Sequence, residues 1–444
     1  MQKYRWGVTR TGSGRVLFLF LLLFILATGA FCQDRFPRPE FESGYELPES
    51  QNPPARSIIA EWGDTVVLLL FLAISAFAVY RLRRRWVMFL LSAAALGYFG
   101  FYRRGCICPV GAVQNITVSL AGLGYVVPVF VVLVFLLPIV VSLFYGRIFC
   151  ASVCPLGALQ DLVLVKPLRI PKPVAVPLSL LPVVMLGLTV LLAASGSLFL
   201  TCRLDPFVRV FRLEADFGWA IYAAVFLLVA TVIARPYCRF LCPYGVILSW
   251  GARLAPRRVS ATPDRCVRCG MCEVACPVDA IMRPTDRSSG PAPGGRSGEI
   301  SATARRIRGV LILLALPVFM ITAGWITSRL SDPISSLDAR TRLLRRLIRE
   351  DADMTRETTI ESEAFREGDR TIEELEASVS ELRRRLGSGG WIVGGCIGFV
   401  FAGRGFSFLR RRRNRGYVTD VGACIGCGRC YEVCPRERFR RRNR

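Results

Sequence analysis

The 444-residue sequence contains no histidine. That absence removes histidine-ligated haem, Rieske-type clusters, His-containing zinc sites and Ser-His-Asp triads. Lysine is nearly absent too: of 58 basic residues only Lys3, Lys166 and Lys172 are lysines, so arginine carries the net charge of +25. Charged residues are only 20% of the chain against 52% hydrophobic, and mean hydropathy is +0.42, so apolar runs decide the class. The sequence also lacks a Gly-rich phosphate loop, a dinucleotide fingerprint and an evident flavin attachment site. Seventeen cysteines remain as chemical ligands, at spacings unlike those of a disulfide-stapled secreted domain.

Eight apolar runs are long enough to cross, or nearly cross, a bilayer of roughly 30 Å. They are Val16–Phe31, Thr65–Tyr80, Trp86–Phe101, Tyr125–Phe144, Val174–Leu200, Phe217–Ala234, Val310–Ile326 and Trp391–Phe408. Residues 1–31 read as a signal peptide or a first transmembrane helix: Lys3, Arg5, Arg10 and Arg15 precede the apolar stretch. Residues 32–64 carry three arginines and seven acids and are expected outside. The loops holding Arg81, Arg83, Arg84 and Arg85, and Arg147, Lys166, Arg169 and Lys172, are expected inside, as are the arginine-rich stretches 235–308 and 410–444. Arg103-Arg104 is the exception, a basic pair on the outer side. The charge therefore reads as topology plus attraction to anionic membrane lipid, not nucleic-acid binding, because no nucleic-acid motif accompanies it.

Residues 329–390 form a polar excursion. Leu337, Leu343, Leu344, Leu347 and Ile348 fit one helical face, and Ile372, Leu375, Val379, Leu382 and Leu386 another. A helix pair outside the membrane is expected, started by Asp332-Pro333 and ended by Gly387-Ser-Gly-Gly. It serves as a spacer or as a sensing or docking element.

The cysteines sort into sets. Cys266-x2-Cys269-x2-Cys272-x3-Cys276-Pro277 has the bacterial ferredoxin spacing, and Cys424-x2-Cys427-x2-Cys430-x3-Cys434-Pro435 repeats it. In that spacing three thiolates serve one [4Fe-4S] cluster and the fourth serves the other. The expected sets are Cys266, Cys269, Cys272 with Cys434, and Cys424, Cys427, Cys430 with Cys276. Gly270, Gly426 and Gly428 permit the close backbone approach. The alternative is a pair of zinc knuckles or free thiols. A second pattern, Cys150-x3-Cys154-Pro155 and Cys238-x3-Cys242-Pro243, closes two spans and brings four thiols to the inner boundary, for an additional Fe-S cluster, redox disulfides or zinc. On the opposite face, Cys106-x-Cys108-Pro109 and Cys202-x2-Asp205-Pro206 echo it, so that Cys106, Cys108 and Cys202, with Asp205, form a candidate outer metal site; a disulfide or structural thiols are the alternative. The core then reads as two tandem helix pairs, roughly 86–165 and 174–250. Cys32 and Cys396 belong to no set and read as packing residues.

The combination Gly146-Arg147-Ile-Phe-Cys150…Cys154-Pro-Leu-Gly-Ala-Leu-Gln160 with Arg235-Pro-Tyr-Cys238…Cys242-Pro-Tyr-Gly245, followed by ferredoxin repeats, resembles the NosR/NapH-type membrane polyferredoxins. The likeness covers roughly residues 65–285 and 417–435. It implies an α-helical multi-pass membrane protein of seven or eight transmembrane helices, with a small α+β bacterial-type two-[4Fe-4S] ferredoxin module split by a helical insertion. The expected order is a membrane core at 65–250, ferredoxin motif 1 at 257–287, a transmembrane helix at 308–328, the periplasmic insertion at 329–390, a transmembrane helix at 391–409 and ferredoxin motif 2 at 415–444. The resemblance implies a place in the bacterial cytoplasmic membrane with both motifs on the cytoplasmic side. It further implies an electron-transfer component without its own substrate pocket, passing electrons between a cytoplasmic or quinone-pool donor and a periplasmic reductase or oxidase. A flavin domain of the NosR kind is missing from the short outer segment before Thr65, so the redox class carries over and the pathway does not. Metallocentre (copper) assembly and redox sensing are the competing functions.

Overall fold

The computed structural model describes residues 57–105, 107–165, 167–214, 216–259, 266–284, 302–352, 358–368, 370–409 and 417–442. The first apolar run, the outer segment up to residue 56, Cys32 and Cys106 lie outside the described residues.

The main helices are α1 (Ile58–Phe77), α2 (Arg85–Ala95), α3 (Pro109–Leu120), α4 (Val129–Tyr145), α5 (Ile148–Ser152), α6 (Pro155–Leu162), α7 (Leu181–Ala194), α8 (Pro206–Arg212), α9 (Phe217–Val232), α10 (Pro243–Leu254), α11 (Ala302–Arg329), α12 (Ala339–Ala352) and α13 (Ile372–Leu409). Wider π-type turns prolong α1 to Leu82 and α2 to Tyr102. Seven of the eight apolar runs fall on helices. Four helical stretches among the described residues are long and apolar enough to cross a membrane: Ile58–Leu82, Arg85–Tyr102, Pro173–Ala194 and Ile372–Gly403. The bent pair α8–α9 makes a fifth if counted as one span. Their outward faces are apolar: Val66, Leu69, Leu70 and Phe77 of α1 and Ile221 and Leu228 of α9 are exposed. Faces of this kind suit lipid rather than water.

Two ends can be told apart. At one end Tyr80 donates to the Tyr145 carbonyl (2.6 Å), and the ferredoxin motifs sit beside it. At the other end lies the insertion: Leu382 and Leu386 of α13 pack on Leu191 and Leu192 of α7. Arg103 is at this second end, and the structure accounts for its charge there. Its guanidinium meets the fully buried Asp64 at 2.8 Å, and Asp64 also accepts from the Tyr98 hydroxyl at 2.7 Å.

Three expectations for the insertion need correction. Gly387-Ser-Gly-Gly does not end it; α13 runs unbroken through these residues. The glycines act as a contact stripe instead. A Cβ on Gly394 would lie 2.5 Å from the Ala323 carbonyl oxygen of α11, and one on Gly390 3.2 Å from Ser328 Cα, so their absence lets two backbones meet. Second, only part of each leucine face is buried: Leu344, Leu347, Leu375 and Val379 form one core, whereas Leu337, Ile348 and Ile372 are exposed. Third, Cys396 is exposed on α13 rather than packed, because Gly394 and Gly398 take the face toward α11.

Candidate iron-sulfur sites

The two ferredoxin motifs meet in space. Strand β1 (Ile281–Met282) follows motif 1 and pairs antiparallel with β2 (Val418–Thr419), which precedes motif 2, with Ile281 opposite Thr419. One cavity is lined by Cys266, Cys269 and Cys272 from motif 1 and Cys434 from motif 2. The other is lined by Cys424, Cys427 and Cys430 from motif 2 and Cys276 from motif 1. Gly270, Gly426 and Gly428 all have left-handed φ, at 77°, 74° and 73°. At Gly270 a Cβ would also press on the Tyr417 hydroxyl at 3.1 Å. Backbone N–H groups point at sulfur: Ala280 at Cys276 Sγ (3.3 Å) and Gly426 at Cys424 Sγ (3.4 Å). Such bonds help to set cluster potential. Burial pushes the Cys272 thiol up to about 11 and the Cys424 thiol up to about 12. Iron must therefore displace protons from neutral thiols on binding. Among the described residues no three Cys, Asp or Glu side chains converge closely enough to share one metal ion.

Arginine loops of the membrane core grip the acidic edge of this module. Arg83 pairs with Glu437 (2.5 Å), Arg169 with Glu273 (3.0 Å) and Arg239 with Asp279 (3.3 Å). Cys150 of α5 packs into the same apolar cluster as Cys276, Cys424 and Cys427.

The four membrane thiols come together. Cys150, Cys154, Cys238 and Cys242 belong to one apolar core with Phe149, Tyr237 and Tyr244, and the thiols lie within electrostatic reach of one another. Local sequence explains the placement. Cys154 and Cys242 are the N-caps of α6 and α10, each followed by proline at the first helical position, where its fixed φ fits and its missing N–H costs nothing. The thiols thus face helix N-termini, which favour negative charge. Cys108 caps α3 in the same manner, and Asp205 caps α8.

Cys108 and Asp205, expected on the opposite face from Cys150, lie close to the four thiols instead. Tyr244, at the start of α10, donates to the Phe135 carbonyl about midway along α4 (2.7 Å), while Gly251 abuts Ser142 and the Arg257 N–H reaches the Phe144 carbonyl (3.2 Å) near its end. So α10 runs from mid-depth toward the ferredoxin end. Tyr244 is within electrostatic reach of both Cys108 and Cys154, which puts Cys108 at mid-depth too. The cause is a turn at Arg104 (φ 48°) and Gly105 (φ 67°) that sends the chain back inward after α2. From this level α3 and α8 run toward the insertion end, and α6 and α10 toward the ferredoxin end. Asp205 is engaged: its carboxylate accepts from the Phe207 N–H (2.9 Å). Cys202 accepts from Gln114 and is otherwise exposed.

Sequence reasoning missed a glutamine in each repeat. Gln160 accepts from the Tyr237 N–H (3.1 Å) and donates to Cys238 Sγ (3.3 Å). Gln114 accepts from the Thr201 N–H (3.0 Å) and donates to Cys202 Sγ (3.1 Å). The signal was present as Cys-Pro-Val-Gly-Ala-Val-Gln114 beside Cys-Pro-Leu-Gly-Ala-Leu-Gln160.

Two family models, each described as a 4Fe-4S binding domain, match this chain. One matches residues 127–172 and 215–262, and the other residues 260–282 and 417–437. The chain thus carries 4Fe-4S binding domains alongside helices apolar enough to cross a membrane. In sequence it is similar to ferredoxin-type membrane proteins of the NosR, NirI and MauN kind. It is 27% identical over 190 residues to an uncharacterized protein of Methanocaldococcus jannaschii, covering 41% of this chain and 77% of that one. It is 26% identical over 155 residues to the putative electron transport protein YccM of Escherichia coli (31% of this chain, 43% of YccM). It is 34% identical over 152 residues to the regulatory protein NosR of Pseudomonas aeruginosa (31% of this chain, 21% of NosR). The matched segments thus span less than half of YccM and about a fifth of NosR. No solved structure matches.

Proposed function

We propose that this protein carries electrons through a bacterial cytoplasmic membrane along one line of thiol-lined sites. Two [4Fe-4S] clusters occupy the ferredoxin cavities, the first held by Cys266, Cys269, Cys272 and Cys434 and the second by Cys276, Cys424, Cys427 and Cys430. A further Fe-S cluster sits among Cys150, Cys154, Cys238 and Cys242, and Cys108 and Cys202 mark the exit toward a periplasmic acceptor. The observation that carries this reading is Cys150, which packs against the second ferredoxin cavity on one side and belongs to the four-thiol site on the other. Tyr237 and Tyr244 lie within electrostatic reach of both that site and Cys108. All eight apolar runs cross the membrane, or seven where the first is cleaved, with the ferredoxin module in the cytoplasm.

A cleft of about 470 Å3 supports a quinol donor. It is lined by Phe89, Leu96 and Phe101 on its apolar side and by Asp161, Arg429 and Cys427 at its polar end. Its size suits a small lipid-soluble molecule, and it ends on a ligand of the second cluster.

Iron and labile sulfide per chain, measured on anaerobically purified protein in mild detergent, test the proposal. About twelve iron per chain is the expected result, four for each of three sites. About eight would leave the membrane thiols without a cluster and overturn the relay.

A further inference from the structure

Arg147 and Arg235 stand three residues before Cys150 and Cys238. Each crosses to the other repeat. The Arg235 guanidinium lies over Gly157, where a Cβ would come within 3.0 Å of Nη1; it donates to the Cys150 carbonyl and, at 3.1 Å, to that of Ala151. The Arg147 guanidinium lies over Gly245, where a Cβ would come within 3.2 Å of Nη2. That same Nη2 is 3.9 Å from Cys150 Sγ, and Nη1 donates to the Gly422 carbonyl of ferredoxin motif 2 at 2.9 Å. The exchange is reciprocal: the arginine ahead of one repeat's first cysteine covers the glycine two residues after the other repeat's Cys-Pro start.

Charge makes the arrangement informative. Two guanidinium groups are set over the first turns of α6 and α10, the positive ends of those helices. Arg239 adds a third. Facing them are Asp161, paired with Arg235 at 2.5 Å, and Asp279, paired with Arg239 at 3.3 Å. The buried Nε of Arg147 and Nη1 of Arg239 have no protein acceptor. Arg147, in contact with Cys150 Sγ and with a buried donor to spare, fits an anionic occupant such as a thiolate-bound cluster, and Arg235, neutralised by Asp161, braces the Cys150 and Ala151 carbonyls beside it.

We infer that Arg147 and Arg235 form a reciprocal clamp across the two repeats. It holds the four-thiol site electron-rich, and through Gly422 it seats the second ferredoxin motif on that site. Both are positioning residues. The inference rests on a cluster at Cys150, Cys154, Cys238 and Cys242. Positive charge beside the sulfurs favours the more reduced state, so removing it lowers the potential of this site.

The test uses the full chain in detergent, titrated potentiometrically and followed by electron paramagnetic resonance, with iron counted in each sample. Arg147→Gln is expected to cut the reduced-to-oxidised ratio of the membrane site about tenfold at a fixed potential, a shift of about 59 mV for a one-electron couple. The signal of the cluster at Cys266, Cys269, Cys272 and Cys434 should not move, and Arg147→Lys should recover most of the shift. Arg235→Gln, which strands Asp161, is expected to lose iron from the membrane site alone. An unchanged membrane potential in Arg147→Gln overturns the clamp, as does an equal shift or loss at all sites, which would mark a general folding role. A wild-type protein with two signals and eight iron overturns the cluster reading itself, and the clamp falls with it.

Discussion

The glycine stripe of α13 yields the sharpest quantitative prediction, because adjacent residues supply the experiment and its control. A Cβ on Gly394 would sit 2.5 Å from the Ala323 carbonyl oxygen, 2.6 Å from Thr327 Oγ1 and 2.7 Å from Gly324 Cα, whereas a Cβ on Gly395 would meet nothing within 4 Å. To restore an ordinary 3.4 Å contact, α11 and α13 must part by 3.4 less 2.5, or 0.9 Å. Overpacking of this kind costs about 1–3 kcal/mol. Both Gly→Ala changes gain the same helix propensity, about 1 kcal/mol, so the gain cancels in the difference between Gly394→Ala and Gly395→Ala. Gly394→Ala should therefore be the less stable by about 1–3 kcal/mol, roughly 5- to 140-fold in the unfolding constant. Unfolding by graded denaturing detergent, with iron absorbance as a second probe, measures it. Equal stability of the two variants would refute close packing of α11 and α13 through this face.

Other outcomes follow from named contacts. Cys276→Ser, a change in motif 1, should abolish the signal of the cluster seated mainly in motif 2 and spare the other, while Cys434→Ser should do the reverse; the opposite assignment by electron paramagnetic resonance would exclude crossed ligation. In the insertion, burial disfavours the charge on Asp338, but the bonds from Arg340 outweigh it and hold the carboxyl below its usual range. Its contribution is therefore full above the unfolded value of about 3.9 and is lost only as pH falls through the lower folded value. Circular-dichroism melts should accordingly show Arg340→Gln weakening the insertion equally from pH 8 to pH 5, with the difference vanishing in strong acid. A difference that instead disappears between pH 8 and pH 5 would sink this account.

Much of the chemistry was open to inspection in one dimension. Ferredoxin spacing is a local property, because three thiolates of one cluster lie within seven residues and the turns between them need glycine. The apolar runs are local too, since a helix must satisfy its own backbone in lipid. The arginine surplus misled in part: Arg83, Arg169 and Arg239 read as topology signals, yet each holds an acidic residue of the ferredoxin module. Gly387-Ser-Gly-Gly misled for a related reason. Glycine ends a helix in water, but against a neighbouring helix the lost side chain becomes close contact, and which applies depends on whether a partner is there.

What sequence alone determined is the ligand inventory, the helical membrane class and the pairing of two ferredoxin motifs, all set by spacing and composition over short stretches. Only the tertiary structure decided where those ligands meet. The turn at Arg104 and Gly105 carries Cys108 back to the level of Cys154, and Gln114, Gln160, Arg147 and Arg235 reach partners 77 to 275 residues away. Such contacts depend on how helices pack against one another. That packing is the joint outcome of every buried face, and no single segment carries it.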